Sequence, residues 1–226
     1  YIRVGGGKFK TFMKNKVSVI VCVHNHDKWI GHCLNSLAKQ KTKNLKYEVI
    51  VYDDASKDNT NQVLKKFKSK NFKIFRNKKN LGLPTTLNKA IKKATGQFIV
   101  RVDSDDFVNK SFLNNLKYFL DTRKSFKAVA CDYYEVNNKN KILKKIDSTK
   151  KQIACGILFD KSAMYKVGLY NPKFKMREGH EFRTRFLKKF KIGRLKRPLY
   201  YYRQHNKNRS KERKLLRKFD KMLKAI

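Results

Sequence analysis

Proline, glycine and long apolar runs are scarce in this sequence, and their scarcity limits what the chain can be. Its 226 residues include three prolines and ten glycines, with no stretch of the kind that links domains. The longest apolar run of the first half, Val19 to Val23, is far shorter than the roughly 20 residues that cross a bilayer. Because 40% of the residues are hydrophobic, we expect one domain with a substantial core.

Paired cysteines and a secretory signal are also missing. The four cysteines form no C-x-x-C pair and no dense framework, and we find no signal-peptide pattern. These observations predict a reduced, cytoplasmic setting. Residues 1–16 are expected to be a leader or an artificial extension. Three consecutive glycines precede Met13, which we expect to be the natural start, and strand character begins only at Val17.

Acidic residues are few, and this makes the charge of the chain unusual. There are 57 lysines and arginines against 17 acids, a formal net charge of +40. Such a chain attracts polyanions, whether nucleic acid, anionic lipid or an acidic substrate. The lysines are spread along the chain and not gathered in one block, so we interpret most of them as solvated surface.

The first hundred residues alternate between strand and helix patterns. Helical stripes separate the strands, and Gly96 is expected to end the last of these helices as a C-cap. Repeated strand–helix–strand units predict an α/β fold with a parallel sheet and helices on both faces. Ligands of such sheets bind beyond the carboxyl ends of the strands. The predicted strands are 17–23, 47–52, 72–75 and 98–102.

The second half of the chain is less regular. Its predicted helices are 111–120, 161–167 and 181–190. Its predicted strands are 128–134, 142–146 and 199–203. Residues 211–226 form a basic pattern with apolar residues along one side, which predicts an amphipathic helix.

Five of the 17 acids follow two of the predicted strands. Asp53 and Asp54 end the second strand, and Asp103, Asp105 and Asp106 end the fourth. Crowded carboxylates repel one another unless a cation lies between them, and oxygen-rich sites favour Mg²⁺ or Mn²⁺. The alternative is that this D-x-D-D segment merely caps a helix, with Asp106 as the cap.

A zinc site is a further idea that the first loop invites. Two cysteines and three histidines lie there: Cys22, His24, His26, His32 and Cys33. Their spacing matches no standard zinc finger or ribbon, and the cysteines fall on a buried strand and on the core side of a helix. We therefore do not expect zinc at this loop.

Several short segments follow one another in a specific order. They are the 17–23 strand, Asp53-Asp54-Ala55-Ser56-Lys57-Asp58, Asn80-Leu81-Gly82, Ala94-Thr95-Gly96 with 98–102, Asp103-Ser104-Asp105-Asp106, Gly168-Leu169-Tyr170, 177–186 and 198–205. This order resembles family-2 glycosyltransferases of the GT-A fold. The resemblance implies a Rossmann-like α/β/α sandwich with a mostly parallel central sheet and a glycosyltransferase domain over 17–205. The basic pattern after it predicts an amphipathic C-terminal helix over 206–226.

The resemblance also implies roles for individual residues. Asp53 or Asp54 would hold the nucleobase, usually uracil, with Asp103 at the ribose and Asp105 at the metal and diphosphate. Asp103 would also be close to the metal. The expected cofactor is Mn²⁺ or Mg²⁺, the expected donor is a UDP-sugar, and the expected reaction is direct displacement with inversion. The further residues expected at the nucleotide or the metal are His24, Asn25, Ser104, Arg203 and His205.

The sequence departs from the family at the catalytic base. The family's base is usually the Asp of a Glu-Asp pair, and here the matching pair is Glu178-Gly179. Gly179 has no side chain, so we expect Glu178, just ahead of a predicted helix, to be the base and Glu181 to be the alternative. Glu181 is also placed to pair with Arg185 four residues on. In the first loop, His24 takes the place of the usual stacking tyrosine.

Other functions and partners follow from the basic surface. A nucleic-acid-binding protein is one alternative, but we find no recognition module and expect no specific nucleic acid. A sugar-nucleotide pyrophosphorylase would need a glycine-rich loop after the first strand, which is absent. The expected acceptor is a cell-surface glycan or a lipid-linked precursor. The helix over 211–226 either lies on an anionic membrane at the cytoplasmic leaflet or packs on its own domain.

Overall fold

The computed structural model describes residues 2–4, 8–10, 13–42, 44–67, 70–206, 208 and 212–224. Its strands are β1 (Ile2–Val4), β2 (Lys8–Lys10), β3 (Met13–Val23), β4 (Lys46–Asp53), β5 (Phe72–Arg76), β6 (Gly96–Arg101), β7 (Phe107–Val108), β8 (Phe126–Val136), β9 (Ile142–Ile146), β10 (Ile157–Asp160) and β11 (Lys191–Arg203). Its helices are α1 (Asp27–Ala38), α2 (Thr60–Lys66), α3 (Leu83–Lys93), α4 (Phe112–Thr122), α5 (Lys161–Val167), α6 (Glu178–Leu187) and α7 (Arg213–Lys224).

A nine-stranded mixed sheet organises the described residues. Its order is β5-β4-β3-β6-β10-β8-β11-β7, with β9 beside β8. The four strands at the β5 end pair in parallel, and β10 is antiparallel to both of its neighbours. The predicted α/β class with a parallel first half is confirmed. The carboxyl ends of the parallel strands, and the loops that follow them, all lie at one edge of the sheet. A ligand site is expected at that edge.

Alternating residues along the strands bury the two faces of the sheet. On β3, Val19 and Val21 join one core with α1 and α4, whereas Ile20 joins the other core with α3, α5 and α6. All three side chains are fully buried. Successive side chains of a strand point to opposite faces, so one continuous β-branched run supplies both cores. Each such side chain contributes about 1.5–3 kcal/mol when it is buried.

The prediction that Gly96 caps a helix is wrong. Helix α3 ends at Lys93, and Gly96 begins β6. A Cβ at this position would lie 2.8 Å from the Lys16 carbonyl oxygen and 2.7 Å from the Ser18 Oγ. The backbone of β6 therefore approaches β3 so closely that no side chain fits, and it is this close approach that requires the glycine.

The other differences from the predicted elements lie mainly in the second half. Strand β10 has only four residues, too few for a pattern that separates strand from helix, and it was not predicted. Strand β11 begins at Lys191 and not at Leu199, because the basic and glycine-containing start of this strand pairs with β8. The β1–β2 hairpin falls within the expected leader, and β3 begins at Met13, before the expected Val17.

The C-terminal helix packs against its own domain. Phe219 of α7 is 4% exposed and lies in a cluster with Phe174 and Met176, which immediately precede α6. Arg177 donates to Asp220 across the same contact, from Nε at 2.7 Å. Of the two predicted positions of this helix, packing on its own domain is the one that the structure shows. Residues 211, 225 and 226 of the predicted helix lie outside the described part. Among the described residues, no helix is both long and apolar enough to cross a membrane.

Candidate active site

Loops from neighbouring parallel strands meet at the carboxyl edge of the sheet. Val23 at the end of β3 pairs with Asp53 at the end of β4, so the loops that follow are adjacent. The Asn25 amide donates to Ser56 Oγ at 3.0 Å, and Asn25 Oδ1 accepts from the Lys57 amide at 2.7 Å. His24 Nδ1 donates to the Asp54 carbonyl oxygen at 2.9 Å. His24 and Asn25 thus hold the two loops together.

The two acids that follow β4 are buried and accept hydrogen bonds. Asp53 Oδ1 accepts from the Ser56 amide, and its Oδ2 lies 2.8 Å from Arg76 Nη1. The Asp54 carboxylate accepts from Asn77 Nδ2 and from the amides of Leu81 and Gly82, at 2.8–2.9 Å. These contacts fix the shape of the segments at 53–56 and 80–82.

Asp103 lies in a network that reaches across to α6. Arg101 donates to both carboxylate oxygens of Asp103, from Nε at 2.5 Å and from Nη2 at 3.1 Å. The same guanidinium donates from Nη1 to Glu178 Oε1 at 2.8 Å. Burial lowers the pKa of Arg101, but the charges of Asp103 and Glu178 more than offset this and hold it well above its usual value.

Asp105 is held by a histidine at the end of β11. Its Oδ2 accepts from His205 Nε2 at 2.9 Å, and the His205 ring stacks on Trp29 at 4.2 Å between centroids. Burial raises the pKa of Asp105, but the His205 hydrogen bond and the nearby His26 hold it below its usual value. Asp105 is therefore an anion at neutral pH. The predicted pair of Asp105 and His205 is brought together in the fold.

Asp106 caps no helix, so the helix-cap alternative for this residue is wrong. The two-residue strand β7 follows it, and α4 begins only at Phe112. Its carboxylate accepts from the Tyr200 hydroxyl at 2.6 Å and from the Arg203 amide at 2.8 Å. Burial, with the charges of Asp105 and Asp103, raises its pKa well above the usual range. Asp106 thus joins β11 to the loop over 103–106 between β6 and β7, hereafter the D-x-D loop.

Two further predicted residues lie beside these acids. Ser104 is 3% exposed, and its hydroxyl lies 2.7 Å from His26 Nδ1. Burial lowers the pKa of His26, so its ring is neutral at pH 7. The Arg203 guanidinium donates from Nε to the Asp105 carbonyl oxygen at 2.7 Å and from Nη2 to His32 Nδ1 at 3.1 Å. Arg203 therefore fixes the backbone of the D-x-D loop.

A cavity of about 960 Å³ opens beside this cluster. Lys28, Lys57 and Arg203 place positive charge in its wall, and Trp29 and His205 provide a stacked aromatic surface. It is large enough for a nucleotide, since ligand sites commonly occupy about 300–1,000 Å³. The other lining residues are Asn25, Asp27, His32, Asp58, Asn138, Asn140 and Asn206.

Helix α6 supplies the candidate bases on the other side of the site. The helix begins at Glu178 and not at Glu181, because Arg177 takes a left-handed conformation and acts as its N-cap. Glu178 therefore lies in the first turn and not ahead of the helix. Glu181 is 2% exposed and accepts from Arg185 Nε at 2.5 Å, the i,i+4 pair that its spacing predicts.

Gly179 occupies the position at which the resemblance implies a base, and no side chain fits there. A Cβ on Gly179 would lie 2.2 Å from the Ala154 Cβ, far inside van der Waals contact. The helix backbone therefore packs directly on the segment before β10. This close contact explains why the residue is glycine and leaves Glu178 as the adjacent acid.

The acids at the D-x-D loop differ in how well they suit a divalent cation. Asp105 offers a carboxylate, the ligand type that suits Mn²⁺ or Mg²⁺, and the Nε2 of the cavity-lining His205 lies 2.9 Å from it. The Asp103 side chain is 27% exposed but is already paired with Arg101. A second group, Asp103 with Asp106 and Cys155, brings its ligand atoms within 4.8 Å of one another. Its buried thiol is a soft ligand that these metals do not favour.

Several residues at this site were not predicted from the sequence. Trp29, Lys28 and Lys57 line the cavity, and Arg101 links two of the predicted acids. Trp29 is the single tryptophan of the chain and lies next to the first loop, which could have marked it. No local pattern marks Arg101, because it occupies an apolar strand and its partners lie up to 77 residues away.

The described residues thus form an α/β protein with a mixed sheet, with acids at the carboxyl edge of its parallel strands and a large cavity beside them. A family model described as "Glycosyl transferase family 2" matches residues 18–210. The chain belongs to this family, as the order of its segments predicted.

Relatives and solved structures agree with this assignment. The poly(ribitol-phosphate) beta-N-acetylglucosaminyltransferase TarS of Staphylococcus aureus is 43% identical over 112 residues, 49% of this chain and 20% of that protein. A poly(ribitol-phosphate) beta-glucosyltransferase of Bacillus spizizenii is 37% identical over 101 residues, 43% of this chain and 16% of its own length. The matched regions thus cover a fifth or less of these relatives.

The similarity extends to three-dimensional structure. The crystal structure of S. aureus TarS 1–349 in complex with UDP-GlcNAc matches with a TM-score of 0.74 and 27% identity, over 87% of this chain and 61% of that one. The expected GT-A fold is confirmed by this match. None of the comparisons favours the nucleic-acid-binding or the pyrophosphorylase alternative.

Proposed function

We propose that this chain is an inverting glycosyltransferase that moves a sugar from a UDP-sugar to an acceptor hydroxyl. The observation that carries the proposal is that His205 and Arg203, which both bind Asp105, line the large cavity together with two lysines. Positive side chains there suit the diphosphate of a nucleotide sugar, and aromatic rings suit its base. TarS, a structural relative at 27% identity, was solved in complex with UDP-GlcNAc.

The donor half of the reaction uses the loops at the carboxyl edge. Lys57 and Arg203, which line the cavity, are proposed to bind the diphosphate. Asp103 is proposed to contact the ribose. Asp53 and Asp54 are proposed to act at the nucleobase through the loops that they order, since their carboxylates already accept hydrogen bonds. His24, Asn25 and Ser104 complete the nucleotide site by joining these loops.

A divalent cation, Mn²⁺ or Mg²⁺, is proposed to bind at Asp105, with Asp103 and His205 beside it. The His205 hydrogen bond more than offsets the effect of burial and keeps Asp105 ionised, which a ligand of such a cation requires. A bound cation stabilises the negative charge of the departing diphosphate.

Glu178 is proposed as the general base, with Glu181 as the alternative. Glu178 begins α6 and is linked through Arg101 to Asp103, so it lies on the side of the D-x-D loop that faces the helix. Glu181 is already bound to Arg185, which favours a structural role. Deprotonation of the acceptor hydroxyl by a positioned carboxylate typically contributes about 10²–10⁴-fold to the rate.

The proposed acceptor is an anionic cell-surface glycan or its lipid-linked precursor. Two relatives carry poly(ribitol-phosphate) in their names, and the net charge of +40 suits a phosphate-bearing polymer. A membrane contact at the cytoplasmic leaflet would then be electrostatic. The apolar side of α7 is covered by its own domain, whereas Arg217, Lys218 and Lys221 are exposed.

The test is a panel of nucleotide sugars, UDP-GlcNAc, UDP-glucose and GDP-mannose, with Mn²⁺, Mg²⁺ or chelator. We expect metal-dependent binding of a UDP-sugar by calorimetry, and its hydrolysis or transfer. Asp105→Asn should abolish the metal dependence, while Asp121→Asn, a control on α4 whose partner is Lys117, should not. Failure of every UDP-sugar to bind would overturn the proposal.

A further inference from the structure

Arg101 is a buried cation at the site to which the proposed reaction assigns no role. It ends β6 between Val100 and Val102, which are fully buried, and is itself 7% exposed. Its guanidinium binds Asp103 through two nitrogens and Glu178 through the third. Its carbonyl oxygen accepts from the Gly156 amide, so its backbone is fixed as well.

Stability alone does not account for this arrangement. Burying the Arg101 guanidinium and the Glu178 carboxylate costs solvation energy, and apolar residues of similar volume often stabilise such positions as well or better. A fixed guanidinium, however, presents its nitrogens in one plane at set angles and can hold two carboxylates in a defined relation. The carboxylates joined here are the D-x-D acid nearest β6 and the first acid of α6.

We propose that Arg101 is a positioning residue of the transfer reaction: by holding Asp103 and Glu178 on one guanidinium, it sets the donor side of the site relative to α6. This inference rests on the proposed glycosyltransferase function. A carboxylate has about four lone-pair sites, so Asp103 keeps some for a ligand while Arg101 binds it. Its side chain is 27% exposed, and it can therefore be reached from the cleft.

The chain contains a matched control for this network. Arg194 donates to both oxygens of Asp132, from Nε at 2.8 Å and from Nη2 at 2.7 Å, and its Nη1 lies 2.8 Å from Asp147. The pattern of nitrogens is the same as at Arg101. Arg194 precedes Arg203 by nine residues of β11, roughly 25–30 Å of strand.

The experiment compares Arg101→Lys and Arg194→Lys in the full chain. Lysine keeps the charge but cannot hold two carboxylates in the plane of a fork. For Arg101→Lys we expect kcat to fall by about 10²-fold, the usual effect of a small misplacement, with the donor KM changed by less than about threefold. Arg194→Lys should leave both constants unchanged. Thermal unfolding of both variants measures how much folded protein each assay contains.

A double-mutant cycle separates positioning from general damage. If Arg101 acts through Glu178, then Arg101→Lys with Glu178→Gln should be no slower than Glu178→Gln alone. Multiplied losses would overturn the proposal, as would near-normal turnover of Arg101→Lys. If Arg101→Lys fails to fold, Arg101→Gln with Glu178→Gln, which removes both charges, repeats the comparison with Glu178→Gln. Retained UDP-sugar binding with unaltered turnover refutes only the role of Arg101, whereas a wild-type chain that binds no nucleotide sugar refutes both proposals.

Discussion

Two arginines in this protein each hold two acids, and the two networks differ in where the acids come from. Arg101 joins Asp103 to Glu178, which is 77 residues away, and its side chain is 8% exposed. Arg194 joins Asp132 to Asp147, near the start of β11, and its side chain is 25% exposed. The hydrogen-bonding pattern is shared, and the surroundings are not.

The difference teaches that the position in the sheet, and not the ion pair itself, gives a network its role. Arg101 lies at the carboxyl edge of the parallel strands, where the loops with Asp53 and Asp103 emerge. Arg194 ties β11 to β8 and to the turn after β9, away from that edge. We therefore expect changes at Arg101 and its acids to alter turnover, and changes at Arg194 and its acids to alter stability alone.

The largest expected effect is at Glu178, the acid bound by the third nitrogen of Arg101. Glu178→Gln should lower turnover by about 10²–10⁴-fold, because it removes the proposed base. Asp147→Asn, the matched change at Arg194, should leave turnover unaltered. Steady-state transfer or donor hydrolysis measures both. Near-normal turnover of Glu178→Gln would remove this residue from the role of base and break the comparison.

Glu48 extends the comparison to a buried acid that lysines hold. Burial raises its pKa, but hydrogen bonds from Lys73, Ser18 and Thr95 lower it to about 2. This acid therefore stabilises the fold above about pH 4.5, and the contribution disappears as the pH falls towards 2. The shift corresponds to about 3 kcal/mol.

Glu48→Gln should thus lower the free energy of unfolding at pH 7 and flatten its fall between pH 4.5 and 2. Urea unfolding across this range measures it. Glu135→Gln is the control, because Glu135 pairs with the largely exposed Lys151. An unchanged pH dependence in Glu48→Gln would show that its buried pairs contribute little.

The close contact beside Glu178 tests how tightly the Arg101 network is built. Gly179→Ala should destabilise the fold by about 1–3 kcal/mol through overpacking against Ala154. Ala154→Gly in the same chain should restore most of this loss. Gly31→Ala is the control, since its new methyl group would lie an ordinary 3.6 Å from Val63. Denaturant unfolding measures the stability of all of these variants. An unaltered free energy of unfolding in Gly179→Ala would contradict the tight packing.

The smallest expected effect is at the ion pair between α7 and the start of α6. The Arg177 and Asp220 side chains are 30% and 44% exposed, and exposed pairs contribute about 0.2–1 kcal/mol. Asp220→Asn should therefore lower stability by less than about 1 kcal/mol and change turnover by no more than a few fold. A large loss of turnover would show that α7 also positions α6. The contact between α7 and α6 would then have to be added to the comparison of the Arg101 and Arg194 networks.

Much of the parallel half of the fold could be predicted because its signals are local. The β3 run is β-branched and continuous, and α1 carries a clear apolar stripe. The acids at 53–54 and 103–106 follow their strands directly, so the topological rule for parallel sheets placed them at one edge. The pair of Asp105 and His205 followed only from the family resemblance, because their contact spans 100 residues.

The second half was harder, since its elements depend on partners distant in sequence. Strand β10 is four residues long and is defined by its antiparallel pairing with both β6 and β8. The start of β11 contains Gly193 and several basic residues, a composition that does not indicate a strand. The start of α6 was misplaced because Arg177, an unusual residue for a left-handed cap, begins it.

Residue periodicity and strand–loop order are local properties, so the α/β class, the family and the edge of the sheet that carries the acids could all be predicted from the sequence. The partner of each acid could be found only in the folded chain. There Asp105 binds His205, and Asp106 binds Tyr200 and the backbone of β11. Asp103 and Glu178 both bind Arg101. Charge pairing depends on distance and burial in space. The partners of Asp105 and Asp106 lie 94 to 100 residues away, and Glu178 lies 77 residues from Arg101; only Asp103 binds a close neighbour in the sequence.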